Sequence, residues 1–137
     1  MANALYTKYK QTMLSAGGID LLEDNILVVL VNFGAYTPNL ATDQFLSDIP
    51  AGARIATSEF LSGKTVAAGV FDAEDVVMAS VSGPQSEALV FYKDAGSPSA
   101  SPLLLILDTS TGLPITPNGA DITITWDNGE NKIFKLN

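Results

Sequence analysis

The chain has 137 residues, 47% of them hydrophobic and 16% charged, and fifteen acids against seven bases give a formal charge of -8. Histidine and cysteine are both absent, which excludes Ser-His-Asp and Cys-His nucleophiles, thiolate metal sites and disulfide frameworks. The basic residues Lys8, Lys10, Arg54, Lys64, Lys93, Lys132 and Lys135 are scattered, so no patch is available to displace counterions from a nucleic acid, and no direct nucleic-acid partner is expected.

This length suits one domain with one core, residues 1–137, organised as a helix over 2–16 and a β-rich body over 25–137. The mean hydropathy of +0.24 exceeds what one small core needs, so part of the apolar surface is expected to be buried between subunits, in a dimer or trimer. The opening residues lack the charged and apolar regions of a signal peptide. The longest apolar runs, Ile26 to Val31 and Leu103 to Leu107, are too short to cross a bilayer, and no membrane partner is expected.

From Ala2 to about Ala16, Leu5, Tyr9 and Met13 recur at every fourth position, Lys8 lies on another face, and Gly17-Gly18 follows. That pattern predicts an amphipathic helix with a glycine C-cap, laid over the core or a sheet edge, or used as an arm that docks on a neighbour. Ile26 to Val31 is an unbroken aliphatic run between turn formers and predicts a strand covered on both faces. Gly34 to Thr42 reads as a loop. Ala41 to Leu46 reads as a short helix capped by Thr42 and ended by Pro50, before Arg54 to Thr57 becomes extended.

From Lys64 onward six further strands are expected: Thr65 to Val70, Val76 to Val81, Ala88 to Tyr92, Leu103 to Leu107, Ile122 to Trp126 and Lys132 to Leu136. Gly and Pro separate these runs, and no helical segment lies between them, so the expected fold is mainly β, an antiparallel sandwich or barrel-like domain of jelly-roll type with an N-terminal helix. Alternation of Ile122, Ile124 and Trp126 with Thr123 and Thr125, followed by Asp127-Asn128-Gly129-Glu130, predicts a C-terminal hairpin with Trp126 packed beneath it. The segment Ser97 to Pro102 reads as the most flexible loop.

Without histidine, acid-base chemistry would have to rest on carboxylates, lysines or hydroxyls, and no spacing in the chain pairs them. The acidic clusters Asp72-Ala73-Glu74-Asp75 and Asp127-Asn128-Gly129-Glu130 do not follow the order of a calcium-binding EF-hand loop, and read better as a connection and a turn. No phosphate-cradling glycine loop follows a strand, so neither cofactor nor metal is implied. Arg54 is the sole arginine. It reads as a bidentate salt-bridge partner between subunits, or more simply as an intramolecular pair or a solvated side chain.

Six stretches stand out: Met1 to Tyr6, Val28 to Val31 leading to Gly34-Ala35-Tyr36-Thr37-Pro38-Asn39, Phe45 to Arg54, Glu87 to Lys93, Asp108 to Pro114 and Asp121 to Gly129. Together they resemble a group of small virion structural proteins of tailed bacteriophages. The aliphatic run Leu103 to Leu107 and the segment Gly69-Val70-Phe71 depart from that pattern. The resemblance implies no enzyme activity and assigns no site residue. It points to a capsid decoration or cement protein on the head exterior, bound to the major capsid protein or another virion protein. The alternative is a tail- or fibre-associated module with a recognition or adaptor role, for which Tyr36, Asn39 and Tyr92 are candidate contacts. The expected interface residues are Leu5, Tyr9, Met13, Tyr36 and Arg54.

Overall fold

A computed structural model describes residues 3–15, 19–109, 112–126 and 133–135. It is mainly β, with one short helix near the N-terminus, as the run pattern predicts. Strand β1 spans Ala4–Leu5, helix α1 Thr7–Leu14, β2 Ile26–Val31, β3 Arg54–Thr57, β4 Thr65–Ala67 and β5 Val70–Asp72. Strand β6 spans Val76–Met78, β7 Ala88–Lys93, β8 Leu103–Leu107, β9 Ile122–Ile124 and β10 Phe134–Lys135.

The principal sheet has five antiparallel strands in the order β1-β8-β7-β2-β3. Every residue of β2 and of β8, and all of β7 except Lys93, is buried. An unbroken aliphatic run therefore does here what it predicts, filling a strand whose two faces are both covered. Val28 pairs with Phe91 and Phe91 with Leu105, so these three side chains share one face. On that face the Phe91 ring meets the Trp126 indole at a centroid distance of 5.2 Å and 43°.

Trp126 lies just beyond β9, which pairs with β6 in a separate two-stranded sheet, so this small sheet packs over the large one through an aromatic contact. A three-stranded sheet, β10-β5-β4, completes the strands. One hydrophobic cluster runs through all of them, from Tyr6 to Ile133.

Four local expectations are corrected. The N-terminal residues Ala4 and Leu5 are not helical; they pair with Ile106 and Leu105, and the helix begins only at Thr7. The buried edge of β8 offers backbone partners there, and Tyr6 N–H continues the ladder to the Leu104 carbonyl at 3.0 Å. The helix ends are not fully comparable, because Ala2 and Ala16 to Gly18, including the expected glycine cap, lie outside the described residues.

Second, Ala41 to Leu46 forms no α-helix. Two 3₁₀ turns, Leu46–Asp48 and Ala51–Ala53, stand on either side of Pro50. The Asp48 carboxylate accepts from Gln44 N–H at 2.8 Å and Phe45 N–H at 2.9 Å, so the side chain caps a turn and Thr42 does not.

Third, Thr65 to Val70 is not one strand. Ala68 and Gly69 have φ of 53° and 77° and form the two-residue loop of a hairpin that folds β5 back on β4. Positive φ at both central positions matches the right-handed twist of the flanking strands. Alanine in the first of them hides the turn, because Asn-Gly is the usual signature.

Fourth, the strands around the expected C-terminal hairpin are not each other's partners. Ile122–Ile124 pairs with Val76–Met78, and Phe134–Lys135 pairs with Val70–Phe71. The turn residues Asp127 to Glu130 lie outside the described residues. The matched alternation of β6 and β9, with Val76, Met78 and Ile124 buried and Val77 and Thr123 exposed, gives their sheet one buried face.

Candidate functional site

Of the five residues expected at an interface, two are core residues. Tyr9 is 3% exposed and Tyr36 is 4% exposed. Burial disfavours the phenolates and raises both phenols above their usual value, Tyr9 to about 12. The Tyr36 hydroxyl lies 2.9 Å from that of Tyr6 and donates to Asp43 Oδ2 at 2.6 Å. Asp43 Oδ2 also accepts from Asn39 N–H at 2.9 Å. This relay ties the residue before α1 to the loop over 36–43, and it explains why a loop tyrosine is buried: ring and hydroxyl are both satisfied inside the chain.

Asn39 itself is exposed, and its side-chain oxygen accepts from Ala41 N–H within its own turn. Leu5 is half-buried on β1, and Met13 is partly exposed near the end of α1 beside the fully open Leu14. Among the described residues, the large apolar side chains left exposed are Met13, Leu14, Leu22, Phe60, Val66 and Val77. The sequence reading singled out only Met13 from this set. Val77 was legible from the alternation around it, but Val66 was not, because its hairpin was not recognised.

All three residues of β4 are exposed, and β4 is an outer strand of its sheet. One backbone edge of β4 has no strand partner among the described residues, and with the exposed Val66 beside it this makes an adhesive element of a kind that soluble proteins usually blunt with charge, proline or a cover.

The acidic cluster after β5 has a structural role. Asp75 Oδ1 accepts from Trp126 N–H at 3.0 Å, the Glu74 carbonyl accepts from Trp126 Nε1–H at 2.9 Å, and Glu74 Oε2 accepts from the Ser62 hydroxyl at 3.1 Å. These contacts hold the tryptophan onto the sheet. No group of three or more acids among the described residues is arranged to hold a metal ion.

Arg54 opens β3 and stands in a solvent-open pocket of about 390 Å³. Thr57 of the same strand, Tyr92 and Asp94 at the end of β7, and Ser97 and Pro98 of the following loop form the other walls. The Arg54 Nε–H donates to the Ile49 carbonyl at 3.1 Å, which fixes the plane of the guanidinium. It pairs with no carboxylate among the described residues.

The Tyr92 hydroxyl rests against Thr57. Burial pushes this phenol up, Asp94 adds to the rise, and Thr57 and Arg54 oppose it. Asp94 Oδ1 accepts from Gly96 N–H at 3.1 Å.

The loop wall is firmly built, contrary to the flexible reading of Ser97 to Pro102. The buried Ser101 hydroxyl donates to the Ser97 carbonyl at 2.7 Å and accepts from Ala95 N–H at 3.0 Å. Ser47 N–H donates to the Pro98 carbonyl at 3.0 Å, and Leu46 N–H to the Ser101 carbonyl at 2.8 Å. A serine-rich composition reads as mobile because its hydroxyls are assumed to face water, whereas the Ser101 hydroxyl and the carbonyls of Ser97, Pro98, Ser101 and Pro102 are engaged inside the chain.

Comparison with models of known protein families gives no match, and no curated protein matches the chain.

Proposed function

We propose that this chain is a non-enzymatic structural protein of a tailed-phage virion, a decoration or cement protein that binds the head exterior and stabilises the shell through contacts with sister copies and with the major capsid protein. The observation that carries this reading is the outer strand β4, exposed along its whole length beside a core that is otherwise well covered. Exposed Phe60, Val66 and Val77 add apolar surface on the peripheral segments. Such features suit a protein whose work is adhesion. The charge of -8 suits a surface kept away from packaged nucleic acid.

A ligand that binds only the expanded lattice stabilises it by RT ln(1 + [L]/Kd) per site, about 4 kcal/mol at a free concentration a thousandfold above Kd. Quantitative mass analysis of purified virions tests the proposal. Dozens to hundreds of copies per particle support a head protein. A few copies favour the tail or fibre reading, which draws support from the Arg54 pocket as a recognition site, and absence from virions refutes both.

A further inference from the structure

We propose that the pocket between β3 and the end of β7 is a carboxylate-binding site, with the Arg54 guanidinium as its anchor and the Tyr92 hydroxyl as a second donor. The first reason is stoichiometric. In a chain with fifteen acidic residues the only arginine has no carboxylate partner among the described residues, although it is half-buried.

The second reason is geometric. The hydrogen bond from Nε to the Ile49 carbonyl orients the guanidinium, while its terminal nitrogens have no hydrogen-bond acceptor among the described residues. A planar fork held in this way matches the two oxygens of a carboxylate. The third is rigidity: the opposite wall is pinned through Ser101, Pro98 and Leu46, so the pocket exists before a ligand arrives.

The remaining chemistry narrows the class. Asp94 on the rim repels a dianionic phosphate more strongly than a monoanion. Tyr92 lines the pocket but is only 7% exposed, too little open ring for a sugar to stack on. A carboxylate that meets both the Arg54 guanidinium and the Tyr92 hydroxyl satisfies both donors. It can come from a free small acid or from an acidic side chain of a second copy of this chain. The proposal does not depend on the virion reading, and its test uses the isolated protein.

The full-length ¹⁵N-labelled chain is titrated with sodium acetate and sodium glutarate against methyl acetate and sodium chloride at matched ionic strength. Saturable amide shifts confined to residues 54, 57, 92 and 96–98, seen with the acids and not with the controls, are expected. Arg54→Gln weakens binding on the order of tenfold, the scale of a charge-assisted hydrogen bond. Asp94→Asn tightens binding, an effect that a purely structural arginine would not produce. Tyr92→Phe weakens it while leaving the Nε anchor of Arg54 intact.

Sedimentation velocity separates the sources. If wild-type self-association is lost in Arg54→Gln, the ligand is a carboxylate of the second copy. If the sedimenting mass is independent of Arg54 while acetate still titrates the pocket, the ligand is a free acid. The proposal is overturned if acetate and glutarate give no saturable shifts and self-association does not depend on Arg54, or if the shifts survive Arg54→Gln unchanged.

Discussion

The β2-β7-β8 block and the β4-β5 hairpin each carry a valine in mid-strand, yet Val28 is fully buried and Val66 is 47% exposed. Strand neighbours account for the difference. Strand β2 has a partner on each side, and its sheet is covered on both faces, whereas β4 pairs with β5 alone among the described residues and is exposed along its length. A valine in a strand therefore does not by itself say whether that strand stabilises this fold or offers itself to another molecule. Position in the strand order decides that.

The comparison breaks most sharply at the contact that joins the layers. Phe91→Ala or Trp126→Ala should each destabilise the fold by about 3–5 kcal/mol, because a large ring is removed from a closed contact that cannot collapse. Denaturant unfolding measures this, and a change below about 1 kcal/mol would place the energetic centre elsewhere.

Tyr36→Phe should cost less, about 1–3 kcal/mol, since it leaves the fully buried Tyr6 hydroxyl without its partner while the ring still packs. The double variant with Tyr6→Phe should recover part of that loss, because no orphaned hydroxyl then remains.

Alkaline titration probes the same relay. Tyr6, Tyr9 and Tyr36 all have phenols raised by burial, so the folded state holds their protons more tightly than the unfolded chain does. Their contribution is fully present below about pH 10 and is lost progressively as the pH rises above it. Unfolding midpoints measured from pH 8 to 12 should therefore fall only in the upper half of that range. At the acid end Asp24 behaves oppositely. The Asp20 N–H holds its carboxylate below the usual range, burial opposes this, and Lys93 at 3.3 Å assists. Its contribution is present above about pH 4 and is lost as the pH falls.

The smallest effect on folding should come from β4. Val66→Lys is expected to change unfolding stability by no more than about 0.5 kcal/mol, as for an ordinary surface substitution. The same change should reduce self-association in sedimentation experiments, because a charged edge resists pairing. Loss of folding stability with unchanged association would reverse the roles assigned to the two regions.

The legible parts of the fold were those in which one residue pattern has one physical outcome. Ile26–Val31, Arg54–Thr57 and Leu103–Leu107 are strands at their predicted bounds. Pairing was less legible. Ile122–Ile124 alternates as a hairpin strand should, but alternation specifies a buried face and not a partner, and β6 presented an equally matched face. The Ala68-Gly69 turn was missed because alanine rarely takes positive φ.

The site was legible only in part. Arg54 stood out by being the single arginine, but Tyr36 appeared as a surface contact because the partners of its hydroxyl, Asp43 and Tyr6, are distant in kind or in sequence. The Ser101 hydrogen bonds that build the pocket wall have no signature in composition at all.

The position of Trp126 has a practical corollary. It is the chain's one tryptophan, its indole N–H is bonded to Glu74, and its ring lies on Phe91 at the seam between two sheets. Intrinsic fluorescence excited at the indole band therefore comes from a single chromophore at that seam. Its emission should shift to the red whenever the small β6-β9 layer lifts from the large sheet. That makes the unlabelled protein an optical gauge of layer separation, readable by stopped-flow during assembly onto a larger particle.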